Sequence, residues 1–393
     1  MAGSGSSDHM LSLMEAISAL GPLVERHRAA LNRGPDLPAE IARALGDGGF
    51  TRLWLPRELG GAELPPIDFI RVIEALSQRD GSVGWCAAVS SSCSRLAGLL
   101  PQHSAREMFG DGGFTVGAVN PTGVAVRDGD GWRVSGRWSW GSFIRHSSFA
   151  GGTCVEHRDG VPLRTPENLP VLRFVIFPTD QVKILDNWNG GGLRSTGSHD
   201  FMVEDVWAPH DRTIVLTGLN SQPQHPGPLY GMPMPTAFSF GVTGVMLGVA
   251  RAAIDTLKAM AMSKVYAGGS APLCEAPGVQ ADVARAEVQL RAARAFMFEM
   301  VGSIWETALA GGTATDQQRA LTRMACWNAA QAAKQTVELM YFTAGGSAVD
   351  DSGPLAAQMR DIHAAAQHAN FASRHMETAG RIMLGMEQGP LRF

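Results

Sequence analysis

The chain carries little charge and concentrates none of it. Of its 393 residues 18% are charged, the formal net charge is -4 at pH 7, and nowhere do five or six basic residues run together. It therefore has no electrostatic footprint for nucleic acid, and small neutral ligands suit it better. Cysteine is sparse: Cys86, Cys93, Cys154, Cys274 and Cys326 are odd in number and show no C-x-x-C spacing. A large chain of this kind with no secretory signal reads as a protein of the reducing cytoplasm. No apolar run reaches the about eighteen residues that a membrane span needs, and the nearest, Phe238 to Ala253, is broken by Gly and Thr. Neither Gly190-Gly191-Gly192 nor Gly345-Gly346 has the G-x-G-x-x-G spacing ahead of a helix, so no Rossmann site for NAD(P)H is expected. H-E-x-x-H, Walker A and G-x-S-x-G are missing, and the eleven His lie scattered without partners at ligand spacing; no metal and no hydrolase chemistry is expected. No internal repeat or low-complexity tract is found.

What is present is a hydrophobic fraction of 45%, enough for a large interior spread over two or three subdomains. Residues 1–10, MAGSGSSDHM, read as expression-tag residue and are set aside. Residues 11–113 read as a helical domain, with Leu13, Ile17, Leu20 and Val24 at helical spacing within Leu11 to Leu31 and a second helix over Leu37 to Asp47. Pro56 and Gly60-Gly61 break the pattern before helices resume over Asp68 to Arg79 and Ser82 to Leu100. Residues 233–393 read as a four-helix bundle: Pro233 to Lys264, the apolar stripe from Val283 through Leu290, Met297 and Ile304 to Ala308, then Asp316 to Phe342 and Pro354 to Gly385. Its Ala-rich and Met-rich faces exceed what one bundle covers, which predicts subunit association.

Between them, residues 114–232 read as a β domain. WRVSGRWSW, Trp132 to Trp140, alternates as a half-buried strand does, DGDG at Asp128 to Gly131 is the turn feeding it, and Leu216 to Pro235 is the linker to the bundle. Three segments occur in order: TVGAVNPTG from Thr115, the pattern S-G-x-x-x-W-x-S from Ser135 to Ser142, and L-R-x-T-G-S-x-D from Leu193 ending in V-x-x-P at Pro209. Together they resemble the acyl-CoA dehydrogenase fold: mainly α with a central β domain. The closer resemblance is to the oxygenase components of two-component flavin-dependent monooxygenases, the branch of p-hydroxyphenylacetate hydroxylase and dibenzothiophene monooxygenase. It spans nearly the whole chain after the first ten residues, and includes an L-P-x-E-x-G-G loop at Leu55 to Gly61.

The residues themselves point toward a flavin. Gly117 to Gly123 and Trp138 to Ser142 offer amides and hydroxyls for a polar ring edge and a Trp face for an apolar one. The resemblance implies that Trp140 packs on the ring, that Ser142 hydrogen-bonds near N5, and that Asn120 and Thr122 line the pyrimidine side. Arg194, Ser195 and Thr196 supply a cation and small residues for a phosphate arm; by resemblance Lys264 stands near a flavin-binding Arg, and Gly345-Gly346 where the partner subunit's adenine contact is made. Ser90 to Ser94 are polar and small for a helix interior, so they face a cavity, with Ser90 and Cys93 on a substrate wall, or a closely packed helix. Cys93 stands where the hydroxylase branch has a His.

RDIHAAAQH, from Arg360 to His368, decides between subfamilies. Short-chain acyl-CoA dehydrogenases place a catalytic Glu hereabouts and this chain has none; the hydroxylase branch has its active-site His at the position of His368. On one continuous helix Asp361, His368 and His375 would share a face. The expected protein is an oxygenase: reduced FAD (alternatively FMN) comes from a separate NAD(P)H:flavin reductase, O2 adds at C4a, and an electron-rich phenolic, indole-like or polycyclic aromatic is hydroxylated. His368 would act on the substrate as a base or hydrogen-bond partner and Ser142 on the flavin. The resemblance implies a homotetramer, a dimer of dimers. The alternative is an acyl-CoA dehydrogenase or oxidase.

Overall fold

The computed structural model describes residues 4–216, 223–265 and 269–387, except the side chains of residues 4–8. Helix α1 (Ser4–Arg26) begins before Leu11, and His27 separates it from α2 (Arg28–Arg33), so the single helix expected over Leu11 to Leu31 is two. Leu13, Ile17, Leu20 and Val24 are all buried. Then come α3 (Ala39–Asp47), α4 (Pro66–Arg79), α5 (Gly81–Ser94) and α6 (Gln102–Phe109).

Helix α5 is the axis of this domain. Asp80 caps it, accepting from the amides of Ser82 and Val83 at 2.9 and 3.2 Å, and every residue in it but Val89 is buried. A helix apolar all round is buried all round. Its neighbours come very near: a Cβ on Gly84 would lie 1.9 Å from Ser77 Oγ on α4.

The sheet holds β1 (Thr115–Asp128), β2 (Gly131–Gly141), β3 (Phe149–Arg158), β4 (Val161–Pro162), β5 (Leu172–Pro178), β6 (Lys183–Leu185), β7 (His199–Pro209) and β8 (Thr213–Val215). Their order is β6-β7-β2-β1-β3-β5-β8, with β4 on β3. The DGDG turn joins β1 to β2, Asp128 pairing with Gly131. Two irregularities matter for function. The β1/β3 register slips between Ala118 and Gly123, and the β2/β7 register between Trp138 and Gly141. Such bulges re-aim side chains out of a ladder, and here they free Asn120 and Trp140, the latter at φ 67°.

After α7 (Pro228–Gly231), the bundle is α8 (Met234–Ala261), α9 (Pro277–Leu309), α10 (Asp316–Ala344), α11 (Pro354–Ala365) and α12 (Arg374–Met383); residues 217–222 of the expected linker lie outside the described residues. By length and composition α8 could cross a membrane, but 83% of its most apolar stretch is buried inside the fold. On α9, Leu290, Met297, Val301 and Ile304 are buried as the stripe predicts, while Val283 and Ala308 are half-buried. The last expected helix, Pro354 to Gly385, does not run through. Between α11 and α12 the backbone of His368 is extended (φ -61°, ψ 140°), and a 3-10 turn, Ala369–Phe371, follows. Asp361, His368 and His375 are therefore not one helical face. Asp361 Oδ1 accepts the Leu193 amide at 2.6 Å, and His375 Nε2 lies 3.0 Å from the Ala369 carbonyl.

Candidate active site

Where α5, the two sheet bulges, the start of α8 and the break after α11 meet, they enclose a cavity of about 520 Å3, within the range of roughly 300 to 1,000 Å3 typical of small-molecule sites. The wall is mostly apolar: Ala88, Val89, Val119, Leu172, Met234, Phe238 and Val242. Among the described lining residues there is no Asp, Glu, Lys or Arg; polarity comes chiefly from Ser92, Asn120, Ser139, Ser142, Thr196, Ser198, Gln367, His368 and Asn370.

Trp85 organises this wall. Its indole Nε1 donates to Ser142 Oγ at 3.1 Å, and its ring meets the His368 ring edge-on with centroids 5.6 Å apart. Ser142 and His368 thus both contact one indole, the first through its N–H and the second through its ring. Trp140, 63% exposed, presents a bare aromatic face at the cavity; a flat ring is the ligand such a face is shaped to stack.

His368 is aimed by its own turn. Nδ1 accepts the Asn370 amide at 3.2 Å, a local bond that competes with helix continuation. Burial and, secondarily, the Arg323 cation press its pKa down to about 4, so the ring is neutral at physiological pH. With Nδ1 an acceptor, the proton sits on Nε2.

The other expected site residues divide sharply. Asn120, Trp140, Ser142, Thr196, Cys93 and His368 line the cavity. Burial pushes the Cys93 thiol up to about 12, so it is an uncharged part of the wall. Ser90 is off the cavity: its hydroxyl donates to the Cys86 carbonyl at 2.7 Å. Ser91 and Ser94 likewise bond backbone carbonyls, of Phe50 and Ser91. The polar cluster thus serves close packing on one side, while Ser92 and Cys93 face the cavity. Thr122 is also off it, donating across the hairpin to the Arg137 carbonyl at 2.6 Å. Arg194 and Ser195 are turned away from the cavity toward α2. Their side chains donate to the Asn32 and Leu31 carbonyls at 3.0 and 2.7 Å, satisfying the last turn of α2. Lys264 does the same for α10, its Nζ donating to the Ala344 carbonyl beside Gly345. Lys264, Gly345 and Gly346 are together, away from this cavity.

Sequence reasoning passed over Trp188, Phe238, Gln367, Asn370 and Ser198. Ser198 and Gln367 lay within recognised patterns, L-R-x-T-G-S-x-D and RDIHAAAQH, and the others did not.

Behind the wall lies a buried acid pair. Asp80 keeps Arg28 Nη1 at 2.8 Å as well as its two amides, so Asp361 is the partner that holds the proton, its pKa pushed up to about 7 by burial and then by Asp80. An unfolded aspartate ionises near ~4. Between that pH and about 7 the folded state binds more protons, so stability falls as pH rises through this window, by at most about 1.4 kcal/mol per pH unit for one proton, and levels off above it. Asp361→Asn should remove this slope in urea unfolding followed from pH 4.5 to 8. Parallel curves for parent and variant would refute the assignment.

Comparison with known proteins agrees with the geometry. Residues 18–100 match the N-terminal domain of acyl-CoA dehydrogenase and 240–373 its C-terminal domain, which sets the class: a flavoprotein fold of helical, β and helical parts. The chain is 31% identical to indole-3-acetate monooxygenase of Pseudomonas putida, covering 95% of this chain and 96% of that protein. It is 26% identical to the flavin-dependent monooxygenase oxygenase subunit HsaA of Mycobacterium tuberculosis, with 96% of each covered. In three dimensions it matches the Streptomyces XiaF complex with FADH2 and glycerol at TM-score 0.90, 21% identity and 99% of each chain. The chain belongs to the flavin-dependent monooxygenases of acyl-CoA dehydrogenase fold, relatives of which are named as an oxygenase subunit or oxygenase component.

Proposed function

We propose that the flavin ring lies against Trp140 with its N5 edge toward Ser142, and that an indole-like or phenolic substrate occupies the His368 end of the same cavity and is hydroxylated on its ring. The observation that supports this is Trp85, which carries Ser142 on its N–H and His368 against its ring. The residues present fit a flavin ring: an exposed indole face, an apolar wall and a hydroxyl at the edge. Bound reduced flavin supplies the activation of O2 and the electrophilic oxygen. The protein's own part is to exclude water with the apolar wall and to orient the two rings. His368, neutral and protonated on Nε2, donates a hydrogen bond to an oxygen at the substrate end; the base role that its position suggests would require a free nitrogen lone pair facing the cavity. A cavity without a carboxylate also lacks the base that removal of an α proton from a thioester demands, which favours this reading over an acyl-CoA dehydrogenase.

FAD is the proposed cofactor, with Lys264, Gly345 and Gly346 of a second copy meeting its adenine end, since none of them reaches the cavity of their own chain. A homotetramer accords with the apolar side chains left exposed on the bundle, among them Val288 at 70%, Phe342 at 71% and Leu384 at 79%. Four of the five free cysteines are buried, in keeping with a cytoplasmic enzyme. The test is anaerobic titration with reduced FAD and reduced FMN, followed by oxygen in the presence of indole-3-acetate, indole or simple phenols. Hydroxylated product with reduced FAD is expected. Turnover of an acyl thioester with bleaching of tightly held oxidised flavin would overturn the reading.

A further inference from the structure

Ser142 does not stand alone. Its Oγ lies 2.6 Å from Ser198 Oγ, which lies 2.7 Å from Thr196 Oγ1, and Thr196 Oγ1 lies 2.9 Å from the Leu193 carbonyl oxygen. At the other end the Trp85 Nε1 reaches Ser142 Oγ at 3.1 Å. Both ends of this chain are one-way. A carbonyl oxygen only accepts and an indole N–H only donates, while each hydroxyl between them owns a single proton. The Thr196 proton is therefore spent on Leu193. Ser198 must spend its own on Thr196, and Ser142 on Ser198. With one lone pair taken by the indole, Ser142 keeps one polar capacity: it accepts.

We propose that the Trp85–Ser142–Ser198–Thr196–Leu193 chain fixes Ser142 as an acceptor and so makes the cavity select reduced over oxidised flavin. The inference rests on the reading that a flavin's N5 edge meets Ser142. Reduced flavin carries a hydrogen on N5, which the fixed lone pair receives. Oxidised flavin presents a bare nitrogen there, so two acceptors face each other with no proton between them, and in a buried site that mismatch is costly. Oxidised flavin can gain a donor only if the chain reverses, and reversal would give up the bond from Thr196 Oγ1 to the Leu193 carbonyl and leave those two oxygens facing each other without a proton. An oxygenase fed by a separate reductase needs this discrimination, because the product of turnover is the oxidised flavin that must leave.

Ser198 and Thr196 are positioning residues here, acting through Ser142. The chain is anchored as a unit: Leu193 is held at φ 49° by the bond from its amide to Asp361, and the Thr196 carbonyl accepts the Phe143 amide at 2.7 Å next to Ser142.

The experiment measures dissociation constants of reduced and oxidised FAD under anaerobic and aerobic conditions, and the two-electron potential of the bound flavin, for the parent, Ser198→Ala, Thr196→Val and Thr196→Ser. Ser198→Ala frees the Ser142 proton to turn toward the ligand. The preference of the parent for reduced flavin should fall by about tenfold, and the bound potential should drop by about 30 mV with it, the equivalent for two electrons. Thr196→Val should act in the same direction, and Thr196→Ser, which keeps the hydroxyl, should restore the parental ratio. A variant that merely loosened the fold would weaken both redox states alike and leave the ratio and the potential unmoved. Equal affinity of the parent for the two redox states, or an unchanged ratio in both Ser198→Ala and Thr196→Val, overturns the proposal while leaving the monooxygenase reading in place. Failure of the parent to bind flavin in either state defeats both.

Discussion

Replacing His368 by alanine should leave binding of reduced flavin intact and lower hydroxylated product by about 10² to 10⁴-fold, the range of a positioned proton donor or acceptor, with the oxygen consumed recovered as hydrogen peroxide. The separation of the two effects follows from Trp85. The His368 ring packs against the indole and, at 6.3 Å, against Phe371, whereas Ser142 is held by the indole N–H and not by His368. Loss of the imidazole removes a donor from the substrate end and touches nothing at the flavin end. Because burial holds the pKa of His368 at about 4, its proton on Nε2 is retained throughout the neutral range, and the pH profile of product formation between about 6 and 8 should carry no inflection from this residue. Comparing product formed with oxygen consumed checks both points. Fully coupled hydroxylation by His368→Ala at the parental rate would move the role to Gln367 or Asn370, which line the cavity beside it.

How far the site could be read beforehand depends on what kind of force fixes each residue. The strand ending in Trp140 and Ser142 shows itself through alternation and a two-residue turn, both local, and the three-segment pattern carries the fold. Helix α5 hides its orientation. With every position but one buried it has no polar face to reveal its rotation, so Ser90 and Ser92, two residues apart, could not be told apart. The break at His368 is equally silent, since Ala364, Ala365 and Ala366 are good helix formers with no Pro or Gly after them, and the bond that ends the helix forms only with Asn370 already folded back. Arg194, Ser195 and Lys264 stand off the cavity for one shared reason. A helix C-terminus leaves carbonyls without partners, and in a fold with many buried helix ends a nearby cation or hydroxyl is claimed there before any ligand arrives.

Three adjacent glycines test how much of the site depends on backbone contact. Gly190, Gly191 and Gly192 are indistinguishable in sequence, yet an added Cβ would meet three different things. On Gly191 it meets nothing within 4 Å; on Gly190 it lies 2.3 Å from the Trp188 ring; on Gly192 it lies 2.1 Å from the Arg360 carbonyl oxygen and 2.8 Å from the Asp361 nitrogen. A side chain can swing aside, though Trp188 would have to give up its bond to the Arg194 carbonyl at 2.7 Å. The backbone of α11 cannot, because its atoms are committed to the helix. Gly192→Ala must therefore push the Leu193 turn away from Asp361, breaking the 2.6 Å bond that holds Leu193 in its left-handed conformation. Overpacking of this kind costs about 1 to 3 kcal/mol, and here the displaced segment carries Thr196 and Ser198, so flavin affinity should fall together with stability. Gly191→Ala, exposed and unopposed, should stay within about 0.5 kcal/mol of the parent, with Gly190→Ala between the two. Urea unfolding midpoints and reduced-flavin titration of the three variants give the order directly. A Gly192→Ala protein as stable as Gly191→Ala would mean that the turn and α11 are less closely joined than the Arg360 contact requires, and that Asp361 does not anchor the hydroxyl chain.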